Sequence, residues 1–275
     1  MSEGSIAFIG GGNMAESLVG GLIADGRSPE SIWVADPFVD KLDELRYRHK
    51  VNVTQENTEA AAHADVIVMA VKPQVLREAA AQIKDLVQEN RSVVLSIAAG
   101  LREPDISRWL GGNVPVVRAM PNTPALLQTG ATVLYANSSV DAEQKKQAET
   151  IMAAVGMTLW VEEEGHMDAV TATSGSGPAY FFLVMEAMQA AAQSLGLPGE
   201  VAEKLVQQTA LGAARMAREG EDDAATLREK VTSPGGTTAA ALEVLREAGI
   251  EETFTRALTA ARDRSRSLSD EFGKD

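Results

Sequence analysis

A short apolar run, Ile6-Ala7-Phe8-Ile9, breaks directly into Gly10-Gly11-Gly12-Asn13-Met14-Ala15, and a helical pattern then continues to about Asp25. The succession of buried strand, glycine turn and helix constrains this chain more than any other stretch. In Gly10-x-Gly12-x-x-Ala15, the first glycine permits a sharp turn. The second lets backbone approach a pyrophosphate, and the small Ala15 lets the helix pack tightly on the strand. Free N–H groups at the helix N-terminus then face the anion, assisted by the helix dipole. Glycine turns also arise for plain backbone reasons, so the flanking strand and helix carry the dinucleotide-binding reading.

The following stretches repeat the pattern. Ser31 to Ala35 is expected as a strand closed by Asp36, about twenty residues past the fingerprint, where such folds place a carboxylate for the ribose 2′-OH. An acid there favours NADH, whereas Asp36-Pro37 could equally be a turn starter, and Lys41 and Arg46 downstream could hold a 2′-phosphate. Pro37 to Arg48 reads as a charged amphipathic helix, Val51 to Val53 as a short strand and Asn57 to Ala64 as a helix. Asp65 to Val71 is wholly apolar after its first residue, as expected for a parallel strand covered on both faces. It ends in Lys72-Pro73, so Lys72 is either a site residue at the ligand-binding edge of the sheet or a solvated surface lysine. Gln74 to Gln88 is the next helix, and Ser92 to Ala98 the next strand. Ala98-Ala99-Gly100 leaves room for a cofactor ring or serves a tight turn. Val114 to Ala119 reads as a strand before Met120-Pro121-Asn122-Thr123-Pro124, in which Asn122 offers both donor and acceptor groups. Strands at Thr132 to Tyr135 and Thr158 to Val161 flank a helix at Asp141 to Ala154. This alternation is the α/β pattern.

Composition narrows the chemistry. The 275 residues suffice for two modest domains, and 45% hydrophobic content can build a sizeable core. A formal net charge of −14 argues against a nucleic-acid partner. With no cysteine, disulfides, thiol nucleophiles and Cys-bound zinc are excluded. Met1-Ser2-Glu3-Gly4 lacks the basic region of a signal peptide, and no apolar run is long enough to span a membrane. A cytoplasmic protein is expected. His49, His63 and His166 are scattered without metal-ligand or triad spacing, so no metal site is expected.

Near Glu162-Glu163-Glu164-Gly165 the strands end and alanine-rich helical stretches take over, which sets the expected domains at 1–163 and 164–275. Ser174-Gly175-Ser176-Gly177-Pro178-Ala179-Tyr180 should open a helix with Pro178 at its first position and Gly177 or Ser176 as cap. That helix, Tyr180 to Leu195, is apolar around most of its circumference, so a partner subunit is expected to cover part of it. A compact monomeric bundle is the alternative. Further helices are expected at Glu200 to Glu219, Ala224 to Val231, Thr238 to Ala248 and Glu251 to Leu268. Between them, Ser233-Pro234-Gly235-Gly236-Thr237-Thr238 feeds a glycine turn into a helix with hydroxyls at its mouth. Two readings stand: a carboxylate pocket of free N–H groups and hydroxyls, or an ordinary Thr237 N-cap.

Taken together, Phe8 to Ala15, Ala70-Val71-Lys72-Pro73, Met120 to Pro124, Ser174 to Tyr180 and Ser233 to Thr238 occur in the order seen in pyrroline-5-carboxylate reductases, and the chain resembles that family along essentially its whole length. The resemblance implies an α/β fold, a Rossmann-type doubly wound sheet followed by an all-α dimerisation domain. It also implies reduction of L-1-pyrroline-5-carboxylate, a cyclic imine carboxylate, to L-proline by NADPH or NADH.

By the same resemblance, the cofactor would contact Ile9, Gly10, Gly11, Gly12, Asn13 and Met14 through its pyrophosphate, and Asp36 and Asn57 at its adenosine end. Ala70, Val71, Lys72, Pro73, Ile97, Ala98 and Ala99 would serve its nicotinamide half, and Asn122 would also contact the cofactor. The substrate would sit on Ser233, Pro234, Gly235, Gly236 and Thr237, with Glu221 nearby and Thr238 as the catalytic residue bonding the ring nitrogen. The family's homodimers, often assembled as pentamers of dimers, agree with the over-apolar helix. Two alternatives are a β-hydroxyacid dehydrogenase-like enzyme, whose motif lysine neither Lys204 nor Lys230 matches, and a non-catalytic dinucleotide sensor, which has no need of the Ser233 to Thr238 pocket.

Overall fold

The computed structural model describes residues 4–274, so the reading of Met1 to Glu3 lies outside the described residues. Its first unit alternates β1 (Ile6–Ile9), α1 (Asn13–Ala24), β2 (Ile32–Ala35), α2 (Val39–His49), β3 (Asn52–Thr54), α3 (Asn57–Ala62), β4 (Val66–Met69), α4 (Pro73–Asn90) and β5 (Val93–Ser96). It continues with α5 (Glu103–Trp109), β6 (Val116–Met120), β7 (Gly130–Ala136), α6 (Ala142–Ala153) and β8 (Gly156–Trp160). The strands form one eight-stranded sheet in the order β3-β2-β1-β4-β5-β6-β7-β8. Its first six strands are parallel neighbours in the doubly wound order.

Strand periodicity explains the two cores. Ile6 and Phe8 point to one face with Leu18, Val19 and Leu22 of α1, whereas Ala7 and Ile9 point to the other with Leu76 and Ile83 of α4. Both faces are therefore covered, and the central strands are apolar throughout rather than alternating.

The strand–helix alternation breaks once. β7 runs antiparallel to β6 because only a short 3-10 turn, Thr123–Leu127, connects them. A parallel return needs a crossover of a dozen or more residues. α5, which follows Gly100, was not among the expected helices; its seven residues, beginning with Glu103-Pro104, are too few for a clear periodic signal.

Two compact units emerge from the packing: residues to Ser176 together with those from Ala260 onward, and Gly177–Thr259. The composition change near 163 marks where strands end, but α7 (His166–Val170) and the following π-turn (Thr171–Gly175) belong to the first unit. Met167 and Ala172 are buried there, and Asp168 accepts a 2.7 Å hydrogen bond from Ser265 Oγ. The residues ahead of α8 (Gly177–Ser194) do not cap it in extended conformation. Ser176 is itself helical, and its N–H donates to Thr171 O at 2.8 Å, closing the π-turn.

The second unit adds α9 (Gly199–Glu219), α10 (Ala224–Lys230), α11 (Thr237–Glu247) and the start of α12 (Ile250–Phe272). Along α8, Phe181, Phe182 and Leu183 are each more than 60% exposed. Three consecutive exposed apolar side chains on one helix are the signature of a surface awaiting a partner. Phe182→Glu is expected to shift the chain towards smaller species in sedimentation velocity, because burying a phenylalanine contributes about 2–3 kcal/mol. An unchanged assembly state would show that this face of α8 is not the contact.

Candidate active site

The carboxyl ends of β2, β1, β4 and β5 lie side by side in the sheet, so the turns that leave them share one edge. At the centre is the turn after β1. Gly10 has φ +104°, and a Cβ there would lie 2.8 Å from the Ala70 carbonyl oxygen, so only glycine fits. The Gly10 N–H donates to Ala35 O at 2.7 Å, and the Ala70 N–H donates to Ile9 O at 2.8 Å, tying the turn to both neighbouring strands.

Asp36 is the buried acid of this edge. Its Oδ2 accepts from the Gly11 N–H at 2.9 Å and its Oδ1 from the Phe38 N–H at 3.0 Å. The carboxylate therefore braces the glycine turn and opens α2, which goes beyond the ribose contact or simple turn starter expected from sequence.

The turn passes into α1 through Gly12, an N-cap in extended conformation that supplies no side-chain acceptor to the first-turn N–H groups. A Cβ built on Gly12 would meet nothing within 4 Å, so this backbone faces open space. An uncapped helix end behind a glycine turn fits the pyrophosphate of a dinucleotide. Ala70-Val71-Lys72-Pro73 leaves β4 beside it. Val71 packs against Gly10, the exposed Lys72 is the N-cap residue of α4, and Pro73 opens that helix, where a missing N–H costs nothing. After β5, the Ile97 N–H donates to Met69 O at 3.2 Å and the Ala98 N–H reaches Ser96 Oγ at 3.4 Å, while Ala99 is exposed. Ile9 to Met14, Asp36, Ala70 to Pro73 and Ile97 to Ala99 are thus gathered on one edge. Asn57 starts α3, after β3, and its amide donates to Gln82 Oε1 at 2.7 Å.

Asn122 has both ends of its amide engaged. Its Oδ1 accepts from the Ala131 N–H at 2.9 Å, and its Nδ2 donates to Ser174 O at 3.1 Å. Pro178 explains the second bond. Lacking an N–H, it cannot bond the carbonyl four residues earlier, so the Ser174 oxygen is left for Asn122. Asn122 is a strut that holds the Met120 to Pro124 loop against β7 and the π-turn.

The second set of residues belongs to the other unit. Gly235 has φ +70°, and Gly236, in extended conformation, is the N-cap of α11 without a side-chain acceptor. Thr237 is therefore inside the helix, and the plain N-cap reading of that threonine does not hold. The Gly236 N–H donates to Ser233 O at 3.0 Å, closing the turn. Among the described residues, the hydroxyls of Ser233, Thr237 and Thr238 have no hydrogen-bond partner. A groove of about 560 Å³ runs from Gly235 and Gly236 along Ala239, Ala240 and Glu243. In the loop before α10, Lys230 Nζ donates to Asp222 Oδ2 at 2.5 Å and Asp223 caps the helix by accepting from Thr226 N–H at 2.8 Å, whereas Glu221 is exposed.

One polar cluster escaped sequence reasoning. Arg118, 8% exposed in the middle of β6, donates to Glu164 Oε1 at 2.7 Å, and the same oxygen accepts from the Glu103 N–H at 2.5 Å. Glu103 Oε1 in turn accepts from Asn137 Nδ2 at 2.7 Å. A charged residue inside an otherwise apolar strand was the available signal. Burial raises the Glu103 pKa above its ordinary 4.5, and the Glu164 charge adds to the effect against the Asn137 hydrogen bond and Arg118.

Gly10→Ala is expected to lower the unfolding free energy by at least about 1–2 kcal/mol, read from denaturant titration. Wild-type stability in that variant would mean that the turn relaxes. The raised Glu103 pKa means that the folded chain holds this proton more tightly than the unfolded chain. Stability is therefore lost as pH rises from the ordinary value of 4.5 through the higher folded value. Glu103→Gln, which keeps the acceptor for Asn137, should gain stability relative to wild type as pH rises above 4.5. A pH-independent difference would contradict the burial argument.

Known proteins match both units of the chain. The family model described as pyrroline-5-carboxylate reductase dimerisation matches residues 164–268, and one described as NADP oxidoreductase, coenzyme F420-dependent, matches residues 5–100. The chain is 47% identical over 274 residues to the pyrroline-5-carboxylate reductase of Pseudomonas aeruginosa, covering the whole of both chains. A solved pyrroline-5-carboxylate reductase from Coxiella burnetii superposes with a TM-score of 0.95 at 49% identity, over 98% of this chain and 99% of that one. The Plasmodium falciparum enzyme, solved with NADP bound, gives 0.85 at 29% identity, over 98% and 99%. With one fold, one edge of glycine and small-residue turns and relatives matched end to end, the chain belongs to the pyrroline-5-carboxylate reductase family.

Proposed function

We propose that this chain catalyses the NAD(P)H-dependent reduction of L-1-pyrroline-5-carboxylate to L-proline, the last step of proline biosynthesis. Beyond family membership, the carrying observation is the Ser233 to Thr238 loop: a glycine N-cap and three unpartnered hydroxyls at the start of α11. Uncapped N–H groups and hydroxyls suit a carboxylate.

The residue roles follow from what the reaction needs. The imine nitrogen arrives protonated, which makes the C=N carbon electrophilic, so no strong general acid is required. When bound, reduced nicotinamide supplies the hydride that adds to this carbon, and the nitrogen keeps its proton as the secondary amine forms. The chain's task is orientation. Ser233 to Thr237 hold the substrate carboxylate, Glu221 contacts the substrate, and Thr238 bonds the ring nitrogen as the catalytic residue. Ile9 to Met14 bind the pyrophosphate, Asp36 and Asn57 the adenosine end, and Ala70 to Pro73 with Ile97 to Ala99 the nicotinamide half. Asn122 contributes by fixing its loop.

The dimerisation domain makes an oligomer through the helical unit, and we assign it as a homodimer, further assembled as a pentamer of dimers. A cytoplasmic location fits this metabolic role, and no helix among the described residues is long and apolar enough to cross a membrane.

Thr238→Ala is expected to lower kcat about tenfold or more, the cost of one hydrogen bond to a charged group, while leaving NADPH affinity within about twofold. Thr238→Ser should recover most of the loss. Wild-type turnover in the alanine variant would remove Thr238 from the mechanism.

A further inference from the structure

The chain between β5 and α5, Ile97 to Arg102, has little hydrogen bonding of its own. The Ala98 N–H reaches Ser96 Oγ at 3.4 Å. Among the described residues, the N–H groups of Ala99, Gly100, Leu101 and Arg102 donate no hydrogen bond. The end of α12 lies against this segment instead. Ser265, Leu268, Ser269 and Phe272 share one face of that helix. Gly100 has φ +71°, and a Cβ there would lie 3.2 Å from Leu268 Cβ and 3.8 Å from the Phe272 ring. Phe272 packs against the same core cluster as the fully buried Leu101. Arg102 Nη2 lies 2.8 Å from Asp270 Oδ1, and Arg108 Nη2 of α5 donates to Gly273 O at 3.0 Å.

We propose that the end of α12 sets the position of the turn after β5, and that Arg102, Leu268 and Asp270 are positioning residues for the nicotinamide half of the cofactor. The proposal rests on the assignment of Ile97 to Ala99 to that half. Hydride transfer needs its reacting carbons about 3–3.5 Å apart, and a misplacement of about 1 Å can cost about a hundredfold in rate. A turn whose own N–H groups make so few bonds needs outside support to hold that tolerance. It is fixed at two points. At its start the Ile97 N–H donates to Met69 O at 3.2 Å, which continues the register of β5. Further along, Leu268 covers Gly100, and Asp270 holds Arg102, the N-cap residue of α5. Gly100 is the point of closest approach, where a side chain would be strained in the left-handed region and would push the helix away. The serines on α12 allow this approach without leaving buried hydroxyls unpaired: Ser265 Oγ donates to Asp168 Oδ1 at 2.7 Å, and Ser269 Oγ to Ser265 O at 3.1 Å. The α12 residues act through the turn, not by touching the reacting atoms.

The Arg102–Asp270 pair provides a test that spares the fold, because its side chains are 46% and 62% exposed and pairs this open contribute little to stability. Arg102→Glu and Asp270→Arg each set like charges between helix and turn, and the two together restore an opposite pair. The intact protein is titrated calorimetrically with NADPH and with 2′-phospho-ADP-ribose, the same molecule without its nicotinamide ring. Each single reversal should raise the NADPH Kd about fivefold and leave the Kd of the fragment within about twofold. Turnover of the imine should fall about tenfold in each, and the double variant should return both quantities to within about threefold of wild type. Single variants that bind and turn over as wild type does would overturn the positioning role. So would equal weakening of NADPH and the fragment, or a double variant without recovery. Wild type that binds NADPH no more tightly than the fragment would instead overturn the assignment of Ile97 to Ala99 to the nicotinamide half.

Discussion

The carboxylate of Asp36 joins three pieces of chain: it closes β2, accepts the Gly11 N–H of the turn leaving β1, and accepts the Phe38 N–H at the entrance to α2. A buried carboxylate is costly unless hydrogen-bonded, and these two N–H groups meet that cost. In return they fix the turn whose glycines present the N-terminus of α1. The other turns of this edge are measured against it: Ala70 against Gly10, and the end of β5 against the end of β4. The geometry of this edge thus depends on the parallel order of the strands and on one acid.

Much of the first unit was legible because parallel, doubly covered strands have a simple signature. Ile6–Ile9, Val66–Met69 and Val93–Ser96 are short apolar runs ending in small or special residues, and each lies where the run placed it. What escaped reading is long-range or short. The antiparallel β7 depends on the length of a turn, and α5 has too few residues for periodicity. The Arg118, Glu103, Glu164 and Asn137 cluster joins residues far apart in sequence. The Asp36 bonds are also tertiary, so a spacing argument finds the residue without finding its second task.

The helical unit shows the same division. α8 announced itself as over-apolar, and its exposed phenylalanines agree with membership of a dimerisation domain. The loop before α11 left two readings open at sequence level because Thr237 suits an N-cap. Backbone geometry gives that position to Gly236 instead, which frees the hydroxyls. Likewise, Pro178 is expected at the first position of its helix, whereas α8 begins at Gly177 behind a Ser176 already in helical conformation, and the Ser174 carbonyl that proline cannot bond accepts from Asn122. Both misreadings concern helix boundaries, where a difference of one residue changes which groups are available.

The proposed reaction delivers a hydride to the C=N carbon of a cyclic imine carboxylate. Its most direct test is to supply NADPH or NADH deuterated at the transferring position of nicotinamide C4, together with L-1-pyrroline-5-carboxylate, and to analyse the product by mass spectrometry and NMR. The expected product is L-proline carrying one deuterium at C5, formed only when enzyme, imine and reduced dinucleotide are all present. Proline without label, label at another carbon, or no proline with either dinucleotide would contradict it.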